Sequence, residues 1–253
     1  MHGGHLLILS NPLGWGHYFL QPIGPANRTQ LCLDLLDWLR REKDEIEPRV
    51  ERADERLISE IKGHKGFQID PIPDHFDYVY AARELIELSG RKFHGKKNHV
   101  NRFLKNHAWE YKPMDAASAV ECVHYLHLWC GWRECEKNPS LRAELEAAQE
   151  TLLHFGELAV QGGVLLVRGK ITAFSLGERL HDSTAVIHIE KADPLIPESF
   201  AMINQQFCEN AWKDFQWINR EQDLGEPGLR KAKKSYHPAR MIHKFRIRAA
   251  TAI

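Results

Sequence analysis

The chain has 253 residues, with 34 basic and 34 acidic side chains balanced to a formal charge of zero and 43% hydrophobic residues. That length accommodates one large or two moderate domains with a substantial core, and overall neutrality excludes a global attraction to nucleic acid. No apolar run approaches the roughly 20 residues of a membrane-crossing helix, and the start, MHGGHLLILSNPLG, lacks a charged leader with a long apolar region. Cys32, Cys122, Cys130, Cys135 and Cys208 form no CxxC pair and leave an odd count, which points to free thiols in a reducing, cytoplasmic setting. Cations gather from Arg91 to Lys112, opposed only by Glu110, and again from Arg230 to Arg248. Such segregation can build a positive surface on a neutral protein, although one-signed helix faces also arise by chance.

In chain order, His5 to Ser10 and His17 to Ile23 predict two strands joined by a turn at Pro12-Leu13-Gly14. Asn27 is placed to cap a helix whose apolar stripe is Cys32, Leu35, Leu36 and Leu39, with Pro48 ending it. A strand from Arg49, a helix around Glu55 to Lys62 and an extended segment from Phe67 to Tyr80 follow, with Asp74 to Asp77 as a loop. Short helices are expected at Glu84 to Leu88 and Lys97 to Lys105, then a strand and domain boundary at His107 to Pro113. The resulting domains are residues 1–112 and 113–253.

Past that boundary, Ala119, Val123, Leu126 and Cys130 form one helical stripe, and Leu141, Leu145, Ala148, Leu152 and Phe155 form another after Pro139 and Ser140. Gly162-Gly163 opens a hairpin with Arg168-Gly169-Lys170 as its turn, and Thr184 to Lys191 is a third strand. Pro197 begins a helix with Phe200, Ile203, Phe207 and Ala211 on its core face. Phe215, Trp217, Asn219 and Glu221 alternate along one strand face; a turn at Leu224-Gly225, a basic helix from Gly228 and a last strand from Met241 to Arg248 complete the pattern. The fold class is therefore mixed α/β (α+β), an antiparallel hairpin feeding a central sheet. His124, His127 and Cys130 recur every three residues but have no partner pair elsewhere, so they read as helix packing and no metal is expected.

The motifs VRGKITAFSLGERL, TAVIHIEKADP, AMINQQF and INREQDLGEPGLRKAKKSYHP, with ARELIELSGRKFHGKKNHVNRF (Ala82 to Phe103), resemble a bacterial family. It is the family of the C-terminal domain of phosphatidylglycerol lysyltransferase, within the GNAT-like acyltransferases, and the likeness runs from about Phe67 to the end. GLRKAKKSYHP is also similar to the GLYRFKKGFG pattern of the Fem-type aminoacyltransferases. The resemblance implies two GNAT-like units in tandem with mixed sheets, the first shortened at its start, and aminoacyl-tRNA as donor. Acetyl-CoA or acyl-CoA is disfavoured, because Glu190 to Pro197, with Pro194 and Pro197, stands where CoA-dependent relatives carry a glycine-rich turn.

Aminoacyl transfer needs a proton acceptor, donors for the acyl oxygen and cations for phosphates. Glu190 or Glu221 is placed as base or acceptor-orienting group, and His188 shares the Glu190 strand face as a substrate contact. Asn219 would hold the acyl carbonyl, Arg230, Lys233 and Lys234 would grip phosphates, and Tyr236 would protonate the leaving ribose oxygen. The competing structural roles are an ion pair for Glu190, turn capping by Asn219 and Glu221, and partial burial of Tyr236 with its hydroxyl at the surface. The acceptor is left open among small molecules, peptides and lipid headgroups. Two further readings remain: a non-catalytic module binding tRNA, a nucleotide or an anionic metabolite, and an acyl-CoA-dependent N-acyltransferase.

Overall fold

A computed structural model describes residues 3–12, 14–137 and 139–250. Leu13, in the predicted first turn, lies outside the described residues. In chain order the elements are β1 (Leu9–Ser10), β2 (Tyr18–Leu20), α1 (Thr29–Glu42), β3 (Arg49–Ala53), α2 (Glu55–Ile61), β4 (Phe67–Pro71), β5 (Asp77–Ala81), α3 (Ala82–Glu87), α4 (His94–Asn106) and β6 (Trp109–Pro113). They continue with α5 (Ala116–Arg133), α6 (Pro139–Leu153), β7 (Val160–Val167), β8 (Lys170–His181), β9 (Thr184–Ala192), α7 (Ser199–Ala211), β10 (Trp217–Asn219), α8 (Pro227–Lys234), β11 (Arg240–Ile242) and β12 (Phe245–Ala249).

Two compact units result, and both are discontinuous in sequence. The first takes the described residues up to Asp77, then Gln222–Arg230 and the chain from Met241; the second takes Tyr78–Glu221 and Lys231–Arg240. The predicted division after residue 112 thus falls within the second unit, where β6 pairs with β7, Trp109 opposite Val167. The predicted final strand is in fact two. A break at His243-Lys244 separates β11 from β12, and β12 enters the first sheet between β3 and β4.

The first unit carries a five-stranded mixed sheet in the order β1-β2-β3-β12-β4. β2 and β3 are parallel and the other pairs antiparallel. The stripe Cys32, Leu35, Leu36 and Leu39 of α1 is buried as its helical spacing requires, against Val50, Leu57, Ile61 and Ile247. Asn27 does not cap α1. It adopts φ 68°, Arg28 precedes the helix without a side-chain cap, and the Arg28 guanidinium is held by Glu60. At α2, Asp54 does cap, its carboxylate accepting from the Leu57 amide at 3.0 Å.

The second unit carries a seven-stranded sheet in the order β11-β5-β10-β9-β8-β7-β6, in which β10 and β9 run parallel. Arg168 (φ 51°) and Gly169 (φ 75°) both take the left-handed conformation that a two-residue type I′ hairpin demands. Leu176 packs with α5 and α6, whereas the next position, Gly177, looks toward Phe207 of α7, so these helices cover opposite faces of the sheet. Phe200, expected in the core face of α7, is 39% exposed; Ile203 and Phe207 are buried as expected, and Asn204 and Cys208 are buried beside them. Cys130 and Cys135 form a disulfide, not the expected free thiols, because Glu134 closes α5 in a left-handed turn (φ 50°) that brings Cys135 back under the helix end. Cys32, Cys122 and Cys208 are free and buried. Among the described residues no helix is long and apolar enough to cross a membrane.

A Cβ at Gly177 would run into the Val186 carbonyl oxygen of the neighbouring strand, which cannot move aside. Gly177→Ala is therefore expected to destabilise the fold by about 1–3 kcal/mol. Gly131→Ala, on a helix position with open space around it, is expected to be neutral or to stabilise by roughly 0.5–1 kcal/mol. Urea melts of both variants check the contrast.

Candidate functional site

The parallel ladder between β9 and β10 is short. Trp217, Ile218 and Asn219 pair with Thr184, Ala185 and Val186, after which β9 continues to Ala192 and β10 stops. Asn219 ends the strand: its side-chain oxygen accepts from the Glu221 amide at 2.7 Å, and Glu221 takes φ 54°. Past the point where the strands part, Arg220 and Glu221 present their side chains to the two faces of the sheet.

On the α6 side, β9 carries an extra residue. Leu176 of β8 lies opposite Ile189 and Gly177 opposite Ile187, so His188 is a β-bulge. The bulge turns His188 to the face of Ile189, away from Glu190. A regular alternation, as read from the sequence, would have put His188 and Glu190 together. His188 lines a cleft of about 460 Å³ with Glu144, Thr151, Val160, Leu176, Glu178 and Glu221. Its Nδ1 lies 2.8 Å from Glu221 and its Nε2 3.1 Å from Glu178. Two acceptor carboxylates on one ring suit the imidazolium, which has two donors. The hydrogen bond to Glu221 raises the His188 pKa above its ordinary value; burial opposes this and Glu178 adds to it.

On the α7 side, Arg220 donates to Glu190 at 2.9 Å, and the Asn204 amide nitrogen donates to the other Glu190 oxygen at 3.0 Å. The Arg220 guanidinium lies 4.9 Å from the Tyr236 ring centre and 5.8 Å from that of Tyr80. Lys96 sits 4.2 Å over the same Tyr236 ring. The Lys233 ammonium donates to the Arg220 carbonyl oxygen, and the Tyr80 hydroxyl to the Lys233 carbonyl at 2.8 Å. Burial, the largest single influence, pulls the Arg220 pKa down, but the Glu190 charge together with Tyr80, Tyr236 and Cys208 outweighs it and leaves the guanidinium firmly protonated. Burial, and then the Arg220 charge, depress the Lys96 pKa; burial pushes the Cys208 thiol up to about 12.

The predicted site residues thus separate. Glu221 and His188 meet in the cleft; Glu190, Tyr236 and Lys233 gather around Arg220 on the opposite face. Asn219 holds the turn. The Tyr236 side chain is buried, its ring between the Lys96 and Arg220 cations. Arg230 is gripped by Asp223 at 2.8 Å and by Asp74 at 2.5 Å, so its charge is spent within the first unit, while Lys234 is exposed. Sequence reasoning missed Arg220, Asn204, Lys96 and Glu178. Arg220 carried a signal, being the cation directly after a buried strand beside Asn219; Asn204 lies on an apolar helix face and carried the mark of a buried amide.

Residues 1–248 match the family described as phosphatidylglycerol lysyltransferase, C-terminal. The chain belongs to this family. A crystal structure of a conserved protein of unknown function from Bacteroides thetaiotaomicron superposes with TM-score 0.87 at 30% identity, covering 97% of this chain and 83% of that one. The structure of L-PGS from Bacillus licheniformis gives TM-score 0.65 at 13% identity, covering 99% and 82%. A tandem GNAT protein from the clavulanic acid biosynthesis pathway gives 0.53 at 9% identity, covering 98% and 80%. These last two show a shared fold, that of tandem GNAT proteins with two mixed sheets. The family match also reaches the first strands, beyond the stretch from Phe67 on which the motifs rest.

Two measurements probe the two faces. The raised His188 pKa means a contribution to stability that is complete below the unfolded value, near 6.5, and lost as pH rises through the folded value. Titration of the His188 ring resonances is expected to give a midpoint above 6.5 that falls in Glu221→Gln; a midpoint unmoved by the substitution removes the pairing. Glu190→Ala strands a buried guanidinium and is expected to cost about 3–5 kcal/mol, whereas Glu190→Leu combined with Arg220→Met is expected to recover most of it. Denaturant midpoints decide.

Proposed function

We propose that the protein transfers an aminoacyl group from aminoacyl-tRNA to an amine or hydroxyl acceptor, with His188 moving the proton and Glu221 positioning it. The observation that carries this is the Glu221–His188 hydrogen bond inside a cleft of mixed polar and apolar lining. The acceptor's nitrogen or oxygen attacks the ester carbonyl carbon, and its proton passes to neutral His188. Glu221 stabilises the imidazolium so formed, by the logic of a carboxylate-oriented histidine. Collapse of the tetrahedral adduct breaks the bond to the ribose oxygen, which takes the proton back from His188. The leaving-group role assigned to Tyr236 from sequence passes to His188, because the Tyr236 ring packs beside Arg220 on the other face of the sheet.

Two features favour a tRNA donor over acyl-CoA. The amino end of α7, where pyrophosphate would need free amides, carries the Glu198 carboxylate, whose backbone carbonyl already accepts from the Ala201 and Met202 amides. The solvent face of α4 presents Lys97, Asn98, Asn101 and Lys105, a surface suited to phosphates, while Arg102 beside them pairs with Glu198 at 3.0 Å. An aminoacyl-tRNA donor places the reaction in the cytoplasm.

Release of labelled amino acid from aminoacyl-tRNA, with a panel of amine, peptide and lipid-headgroup acceptors, tests the reading. His188→Gln and Glu221→Gln are each expected to lower transfer by roughly 10²–10⁴-fold with folding retained. Because the base form of His188 is required and its pKa is raised, the wild-type rate is expected to climb with pH through a value above 6.5. Glu178→Gln is expected to move that limb to lower pH. Wild-type rates in both His188→Gln and Glu221→Gln would falsify the assignment.

A further inference from the structure

Charge decides what the cleft on the α6 side can hold. Among the residues lining it, Glu144, Glu178 and Glu221 are carboxylates and His188 alone is basic. Each of the four keeps a third or more of its side chain exposed. Behind the wall, the buried Lys191 ammonium meets Glu144 at 2.7 Å and rests 4.0 Å over the Trp129 ring. With Glu144 answered by Lys191, Glu178 and Glu221 share one histidine. The cleft therefore carries one excess negative charge while His188 is an imidazolium, and two once it is neutral, the form required of a base.

Deprotonation of His188 also leaves a gap in the hydrogen bonding. Glu221 holds Nδ1 at 2.8 Å, the shorter of the two contacts, so the remaining proton stays on Nδ1. Nε2 and the Glu178 carboxylate then face each other at 3.1 Å as two acceptors with no hydrogen between them. A primary ammonium, with three donors and a positive charge, satisfies both. A hydroxyl brings one donor and no charge, and a phosphate-bearing headgroup brings negative charge into a negative cleft. Ala147, Val160 and Leu176 give the cleft aliphatic surface, and Glu144 adds a carboxylate on the α6 wall. Methylenes ending in a second ammonium complement that lining.

We propose that the cleft binds a small alkyl diamine, with one ammonium between Glu178 and His188 Nε2 and the other toward Glu144. A cleft of about 460 Å³ has room for such a chain beside the ester. The consequence for catalysis rests on the aminoacyl-transfer reading and deepens it: the acceptor is a cationic amine, neither a hydroxyl nor a lipid headgroup. Bound as an ammonium, the reacting nitrogen releases one proton to water. On attacking the ester carbonyl it gives a second to Nε2, which passes it to the departing ribose oxygen, and the last stays on the new amide.

Calorimetry on the wild-type protein compares 1,4-diaminobutane with butylamine, which has the same chain and one ammonium, and with glycerol 3-phosphate. The diamine is expected to bind at least about tenfold more tightly than butylamine, and glycerol phosphate not at all. Glu144→Gln, checked for folding by circular dichroism, is expected to bring the two amines close to equal affinity. In the wild-type protein the His188 ring and Thr151 methyl resonances are expected to shift on adding the diamine, which keeps the test decisive if the variant fails to fold. Equal wild-type affinities, a preference that survives Glu144→Gln, unmoved His188 resonances or tighter binding of glycerol phosphate overturns the proposal. Turnover of aminoacyl-tRNA with the diamine present, its products identified by mass, is expected to yield the aminoacyl-diamine; transfer to other acceptors while the diamine merely binds overturns its role as acceptor. Selective binding by a protein that transfers to nothing leaves the site standing and removes the reaction. Transfer without any preference for the diamine does the reverse.

Discussion

Strands β9 and β10 share a ladder of three residue pairs and then separate, and the Arg220–Glu190 ion pair occupies the point of separation. Neither partner is well hydrated there, with side-chain exposures of 11% and 14%. Removing two charges from water costs several kcal/mol each, so the pair is tolerated only because other groups complete it. Asn204 takes the second Glu190 oxygen, and two tyrosine rings face the guanidinium. The Lys233 ammonium binds the Arg220 carbonyl, and Tyr80 in turn binds the Lys233 carbonyl. Helices α7 and α8 and strand β5 are thereby tied to one residue. The dense cluster is a scaffold first, in which Arg220 Nη1 and Asn204 Oδ1 have no hydrogen-bond partner among the described residues.

What could be read in the sequence was whatever depends on near neighbours. The Arg168-Gly169 turn and the α1 stripe are set by residues within a turn or two of one another, and local pattern suffices for those. The domain division was not legible, because a strand's hydrophobic pattern names a buried face and not a partner. Nothing in FRIRA says that β12 lies between β3 and β4, or in DYVYA that β5 pairs with β10. Likewise Asn27 has the chemistry of a cap, yet it occupies a left-handed position one residue too early.

The basic run that looked most like a ligand site shows the limit of counting charges. Arg230 meets Asp223, seven residues before it, and Asp74, far away in the chain; Lys233 is buried with its ammonium on a backbone carbonyl. Half of that positive density is internal structure. A cation available to phosphate must be left unneutralised by the fold, and sequence lists the charges without saying which are already answered. By contrast the exposed side of α4 keeps Lys97 and Lys105 in solvent, in a segment without acidic residues until Glu110.

The bulge at His188 determines which groups can meet. After β10, Arg220 and Glu221 fall on opposite faces, Glu221 from a left-handed conformation whose amide is held by the Asn219 side chain. A regular β9 would place His188 on the Glu190 face, beneath α7, and Glu221 would then lack a basic partner on its own side. One inserted residue moves His188 across, so each carboxylate finds its own cation: Glu190 with Arg220 on one face, Glu221 with His188 on the other. Gly177 is the condition for this, since it lies across from the irregular ladder where a side chain would strike the Val186 carbonyl. A single glycine on β8 therefore lets Glu190, fixed in a buried ion pair, and His188, open to the cleft, sit within two residues of each other on β9.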